Sequence, residues 1–360
     1  MATERFSNLT QRLQNTAASL FLLLFFASIY TALPYFQRYF SHRIAWGEKE
    51  YSYWEILLIA MAGYACLLAV FYLVEKSPRI SKSLTCLGAI KRFTASPRQV
   101  WASGFTQEER LGVLSVLLKG FFAPLMVVWL YDHTATLLNN GILFLQGWQN
   151  SGFSTRSLMG TEGYWFIFRL ILWVDVFFFT LGYLIELPQL KNEIRSVDPT
   201  LFGWGVALAC YPPFNGLTGS IFGWHSSDFP QFVDYPLLHL VANSLLLGLM
   251  AVYSWASLAL NFKASNLTHR GIVAHGPYRF VRHPAYVCKN LAWWIGLGPA
   301  LIVASQGSWQ TILLTVGSML GWSTIYVMRA LTEEEHLRSV DGTYDEYCQK
   351  VKYRFIPYVV

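Results

Sequence analysis

The chain has 360 residues, 54% of them apolar and only 13% charged. A soluble globular domain carries about 25% charged residues, so this composition excludes an ordinary water-soluble enzyme. The formal net charge of +6 comes without a long basic run, which excludes nucleic acid as the expected partner and suits anionic lipid headgroups instead.

The apolar residues come in blocks long enough to cross a bilayer, about 20 residues each. In chain order the predicted spans are 16–35, 53–74, 111–131, 163–185, 201–224, 235–260, 286–304 and 309–331. The expected architecture is therefore all-α: a polytopic membrane protein of about eight helices, closed by a C-terminal helical hairpin. The first block is too long for a signal peptide and lacks a small-residue cleavage site, so it is kept as a helix. Pro212-Pro213 and Asn215-Gly216 interrupt the fifth, which is expected to be kinked or re-entrant. The seventh is short and carries Pro299. Residues 1–234 form an N-terminal transmembrane region without an assigned role, and residues 235–360 form the candidate catalytic region.

Positive residues orient these spans. The loop after the second holds Lys76, Arg79, Lys82, Lys91, Arg92, Arg98 and Arg110, an excess typical of the cytoplasmic side. Counting outward puts both termini in the cytoplasm, with Lys263, Arg270, Arg279, Arg282 and Lys289 on the same side. A bacterial inner membrane and an endoplasmic reticulum fit equally well, and nothing fixes an oligomeric state.

Cys66, Cys86, Cys210, Cys288 and Cys348 are scattered without a C-x-x-C pair, so neither a metal site nor a disulfide framework is expected. The sequons at Asn8 and Asn266 fall on the cytoplasmic side in this topology, and neither is expected to carry glycan. No dinucleotide-binding glycine motif, P-loop, H-E-x-x-H or G-x-S-x-G occurs. Any nucleotide-type cofactor has to bind without a Rossmann domain.

Chemistry concentrates at two places. Residues 276–286 read Gly-Pro-Tyr-Arg-Phe-Val-Arg-His-Pro-Ala-Tyr, and Glu333-Glu334-Glu335-His336 follows the last apolar block. Charged groups near hydrocarbon are expensive and mark function. A hairpin of the last two spans returns both clusters to one membrane face. His283 precedes Pro284, so it belongs in an extended turn before a helix that the proline starts. Arg279 and Arg282 then lie at the membrane edge, where each is also an ordinary topology anchor. Arg329 and Glu333 share a helix face. Three carboxylates at a helix C-terminus oppose the helix dipole and call for an offsetting cation, such as Arg282, or a ligand. Tyr278, Tyr286, Tyr344 and Tyr347 supply aromatic walls. Of the polar residues inside spans, His239 and Asn243 are expected to make interhelical hydrogen bonds, while Arg169 and Asp175 face different ways.

These residues resemble the C-terminal block of isoprenylcysteine carboxyl methyltransferases and membrane phospholipid methyltransferases. The matching positions are Gly276, Tyr278, Arg279, Arg282, His283, Pro284 and Tyr286, then Glu333, Glu334 and Leu337, then Gly342, Tyr344, Tyr347 and Pro357. Asp341 stands where that family carries an aromatic residue. The ending from Tyr347 to Tyr358 is similar to sterol reductases, NADPH enzymes that usually carry Asn where this chain has Ala285.

The methyltransferase resemblance implies S-adenosylmethionine at the cytoplasmic membrane edge. It implies a cofactor site of His275, Gly276, Tyr278, Arg279, Arg282, His283, Pro284, Tyr286, Glu333 and Glu334, with no metal. Arg282 would meet the cofactor carboxylate, and Glu334 would take a proton where the acceptor is an amine. The acceptor itself is expected to be a lipidic carboxylate or amine. An NADPH-dependent reductase of a sterol or isoprenoid is the alternative, and a transporter or lipid-binding protein the non-enzymatic one.

Overall fold

The structure is a computed structural model. It describes residues 2–75, 78–152, 154, 160–216, 228–232, 234–305 and 308–357. It divides into two compact units: Met1–Tyr131 with Ile194–Val197, and Asp132–Glu193 with Asp198–Val360. Six helices among the described residues are long and apolar enough to cross a membrane.

The first unit opens with α1 (Ala2–Ala32) and α2 (Pro34–Phe40). The expected first span through residue 35 is cut at Leu33, because Pro34 pushes the preceding residue into extended backbone. A hairpin of β1 (Arg43–Trp46) and β2 (Lys49–Ser52) follows, with Arg43 opposite Ser52 and Trp46 opposite Lys49. Next is α3 (Tyr53–Val74), begun by a reciprocal Ser52–Glu55 capping box. Its outer face is bare hydrocarbon: Leu58, Ile59, Leu67, Val70 and Val74 are all exposed. So large an apolar surface fits lipid rather than water. Two short helices, α4 (Lys82–Ala95) and α5 (Pro97–Ser103), precede α6 (Gln107–Ser151). Helix α1 packs on α3 and α4.

Helix α6 corrects the third predicted span. Its helix does not end at residue 131 but runs on to Ser151. The helix continues through Asp132, and the Thr136 hydroxyl donates to the Asp132 backbone carbonyl one turn earlier at 2.8 Å. The unit boundary falls inside this helix.

In the second unit, α7 (Thr161–Leu184), α9 (Pro236–Leu260), α10 (Pro284–Ser305) and α11 (Trp309–Val340) carry the core. Between α7 and α9 lies α8 (Leu201–Leu208). The fifth predicted span is thus not one helix from 201 to 224. Its helix stops at Leu208, just before the Pro-Pro pair, and 217–227 lie outside the described residues. The seventh span forms as a continuous helix, α10.

Helix α9 packs against both α7 and α10, α10 against α11, and α8 against α11. Tyr164, Phe168 and Ile171 of α7 share one core with Leu246, Leu247, Met250 and Tyr253 of α9 and Ala292 of α10. That shared core places α7 in the same compact unit as the C-terminal helices. Gly182 permits a close approach, since a Cβ there would lie 1.9 Å from the Ala264 carbonyl oxygen.

Candidate functional site

The Arg-His-Pro turn is fixed from below by glycine. Gly276 has φ +61°, a left-handed conformation, and a Cβ there would come within 3.0 Å of the Ala259 Cβ. A short 3₁₀ turn, Gly276–Arg279, leads to His283, and Pro284 begins α10. The C-terminal tail runs beside this turn. The backbone N–H groups of Arg282 and His283 donate to the carbonyls of Tyr353 and Arg354, each at 3.0 Å. The Arg282 guanidinium adds bonds to the Val351 and Lys352 carbonyls at 2.9 and 2.7 Å.

Helix α11 then delivers its carboxylates onto the turn. Arg282 Nε lies 2.8 Å from Glu334 Oε1. Arg354 reaches both Glu334 oxygens, at 3.0 and 2.9 Å, and Arg338 approaches Oε2 at 3.4 Å. The His283 imidazole bridges the two acids, with Nε2 3.2 Å from Glu334 and Nδ1 3.8 Å from Glu333. The two distant pieces of sequence therefore form one cluster. The helix runs on to Val340, so the carboxylates do not stand at a helix C-terminus as expected, and Arg282 offsets Glu334 directly.

The two glutamates differ in environment. Glu334 has a 1% exposed side chain and several charged donors, so its acceptor positions are occupied. Glu333 has a 29% exposed side chain. It accepts from the Tyr286 hydroxyl and faces Arg329 at 3.9 Å. Glu334 thus resembles a structural hub, which weighs against the proton-accepting role expected of it, whereas Glu333 keeps an open side.

A deeper polar layer supports Glu333. The Arg329 guanidinium lies 5.1 Å from the Tyr286 ring and donates to Asn266 Oδ1 at 2.7 Å. Asn266 in turn donates to the Tyr183 and Tyr211 hydroxyls at 2.9 and 3.0 Å. Its amide is buried and fully engaged, a stronger bar to glycosylation than topology. The Asp175 carboxylate accepts from Tyr253 and Ser257. His239 Nε2 and Asn243 lie 3.2 Å apart on the same helix, and His239 meets the Asp228 carbonyl at 2.6 Å. His239 thereby ties α9 to the segment before it.

Of the expected site residues, Arg282, His283, Tyr286, Glu333 and Glu334 come together around Pro284. Tyr278 joins at the backbone, where its carbonyl accepts from the Tyr347 hydroxyl at 2.7 Å. Burial, with Glu333 adding to it, pushes the Tyr278 phenol well above its usual range. His275 and Arg279 are exposed, and Arg279 lies over the Phe280 ring at 4.6 Å. The sequence did not single out Arg354 or Arg338. The spacing of Arg338 four residues after Glu334 was visible; the Arg354 contact depends on the tail's path. Its hydrogen bonds to Glu334 raise the Arg354 pKa further. Asp341, which departs from the family pattern, accepts from the Thr343 backbone N–H at 2.9 Å at the start of α12 (Thr343–Lys350). Bonds from Thr343 hold its carboxyl below the usual range.

A family model described as a protein of unknown function, DUF1295, matches residues 239–351. That match covers α9 to α12 and both halves of the cluster. No curated protein and no solved structure matches the chain.

Proposed function

We propose that this chain is an integral-membrane methyltransferase that uses S-adenosylmethionine on a lipidic acceptor, with its cofactor site at the cytoplasmic edge. The observation that carries this reading is the junction of Arg282, His283 and Tyr286 with Glu333 and Glu334 at the end of the α10–α11 hairpin. A zwitterionic sulfonium cofactor needs both charge signs close together. Glu333 is the acid with an open side for an ammonium or ribose hydroxyl. Arg282 spends Nε on Glu334 and Nη1 on carbonyls, leaving Nη2 for the cofactor carboxylate. The aromatic faces of Tyr286 and His283, stacked at 5.5 Å, suit a cationic or adenine neighbour.

Bound S-adenosylmethionine supplies a methyl group on a leaving group that is already activated. The protein's own share is orientation. Glu334 locks Arg282 and the tail, Arg329 and Tyr286 hold Glu333 in one rotamer, and the helices admit a lipid from the side. Holding the reactants at attack distance supplies about 7–11 kcal/mol of the barrier. A carboxylate acceptor needs no base. An amine acceptor passes its proton to Glu333 in this arrangement.

NADPH-dependent reduction is the second reading. The phenols of Tyr286 and Tyr253, each donating to a carboxylate, favour it, because hydride transfer needs a nearby proton source. Against it, a polyanionic dinucleotide requires several uncommitted cations, and Arg338, Arg354 and all but Nη2 of the Arg282 guanidinium are engaged. Titration calorimetry of the purified protein in nanodiscs separates the two. Heat of binding with S-adenosylmethionine, lost in Glu333→Gln, supports methyl transfer. Binding of NADPH alone supports reduction, and binding of neither removes both.

A further inference from the structure

Lys289 has a problem that the cofactor site does not solve. It is half-buried, one and a half turns into α10, with its ammonium 5.0 Å from the Tyr253 ring and 5.2 Å from the Trp293 ring. The described residues give it no hydrogen-bond acceptor and no ion-pair partner. Asp175, whose charge it feels, has one oxygen bonded by Tyr253 and the other by Ser257. Two aromatic faces satisfy part of the charge but none of three N–H donors. A lysine that merely snorkels would leave the rings for the headgroups. Here Tyr253 of the neighbouring α9 and Trp293 of its own helix hold it.

The same aromatic cluster contains other unmet donors. Arg329 Nε and Trp322 Nε1 are buried without a partner. The Trp322 ring lies 6.0 Å from Trp293, and the Arg329 guanidinium 5.4 Å from Tyr326, itself 5.5 Å from Trp293. Unsatisfied buried donors are rare enough to need a cause. Arg329 Nε and Trp322 Nε1 thus lack an acceptor beside the Lys289 ammonium, while the Arg329 Nη2 is bonded to Asn266. Asp175 and Lys289 offset each other in charge, so the missing group need not be an ion.

We infer that Lys289 anchors a binding site for a lipid whose head presents an acceptor oxygen on an sp² carbon, a carboxylate or a ketone. The site lies among α7, α9, α10 and α11 and stands whichever cofactor the Arg-His-Pro turn takes. Because Lys289 is only half-buried, a molecule dissolved in the bilayer can reach it.

Photolabelling of the whole protein in nanodiscs tests this. The probes are diazirine-bearing palmitate, the matching methyl ketone and the matching primary amine, which offers donors only. The expected result is labelling of residues 235–305 by palmitate or the ketone at least about tenfold above the amine, the discrimination of one charged hydrogen bond. Lys289→Met abolishes that preference and Lys289→Arg keeps it. Labelling by palmitate marks the ligand as an acid, and labelling by the ketone alone marks it as neutral. Equal labelling by the amine, or an unchanged preference in Lys289→Met, overturns the inference. Should Lys289→Met fail to fold, the contrast among probes on the wild-type protein decides alone.

Discussion

Replacing Glu334 with alanine tests whether this residue is a structural hub rather than a reacting group. Glu334 is buried against Arg282, whose side chain is 8% exposed, while Arg354 and Arg338 are 25% and 43% exposed. Removing one partner of a buried ion pair costs about 3–5 kcal/mol because the other charge is left unpaired. The two more exposed arginines add about 0–1 kcal/mol each, screened by solvent. With about 2–4 °C per kcal/mol for a unit of this size, the buried term alone lowers the melting midpoint by about 6–20 °C. Fluorescence-detected size-exclusion chromatography after heating in detergent measures this directly. Glu333→Gln, on a partly exposed side chain, should move the midpoint by less than about 4 °C, the effect of about 1 kcal/mol. Equal midpoints for Glu334→Ala and wild type would refute the hub, and a larger loss in Glu333→Gln would reverse the two assignments.

Arg354→Ala should free the tail from the Arg-His-Pro turn. Limited proteolysis with mass readout is expected to release fragments beyond Lys350 faster than from wild type, and unchanged digestion would contradict the tail's role. Gly182→Ala places a Cβ 1.9 Å from a carbonyl oxygen. It should therefore destabilise by about 1–3 kcal/mol or more. Gly63→Ala, with nothing within 4 Å, should stabilise α3 by about 0.5–1 kcal/mol; thermal midpoints check both. Peptide mapping after expression in a glycosylating host should find Asn266 unmodified, since its amide already serves two tyrosines.

Residues with strong local rules were legible in the sequence. Pro284 after His283 gave the turn and the helix start. Glu333 and Glu334 one apolar hairpin later gave the meeting point, because a hairpin has to return to its own side. The Arg329–Glu333 pairing followed from helical spacing. Features that depend on the path of the chain were not legible. Arg354 reaches Glu334 because the tail pairs with the turn, and Asp175 meets Tyr253 and Ser257 because α7 packs on α9. The third span was misread in its length, while the interruption expected in the fifth is present. Nothing after Asp132 breaks the helix as the polar residues suggested, whereas at 201–224 the helix stops at Leu208, ahead of the proline pair.

Methyl transfer at the α10–α11 hairpin is the proposed activity. Purified protein in nanodiscs, given tritium-labelled S-adenosylmethionine and a total lipid extract, should move label into the organic phase. Glu333→Gln, still folded by its melting midpoint, should not. Label that stays in water with the wild-type protein, while NADPH is consumed in a parallel reaction, would contradict the account.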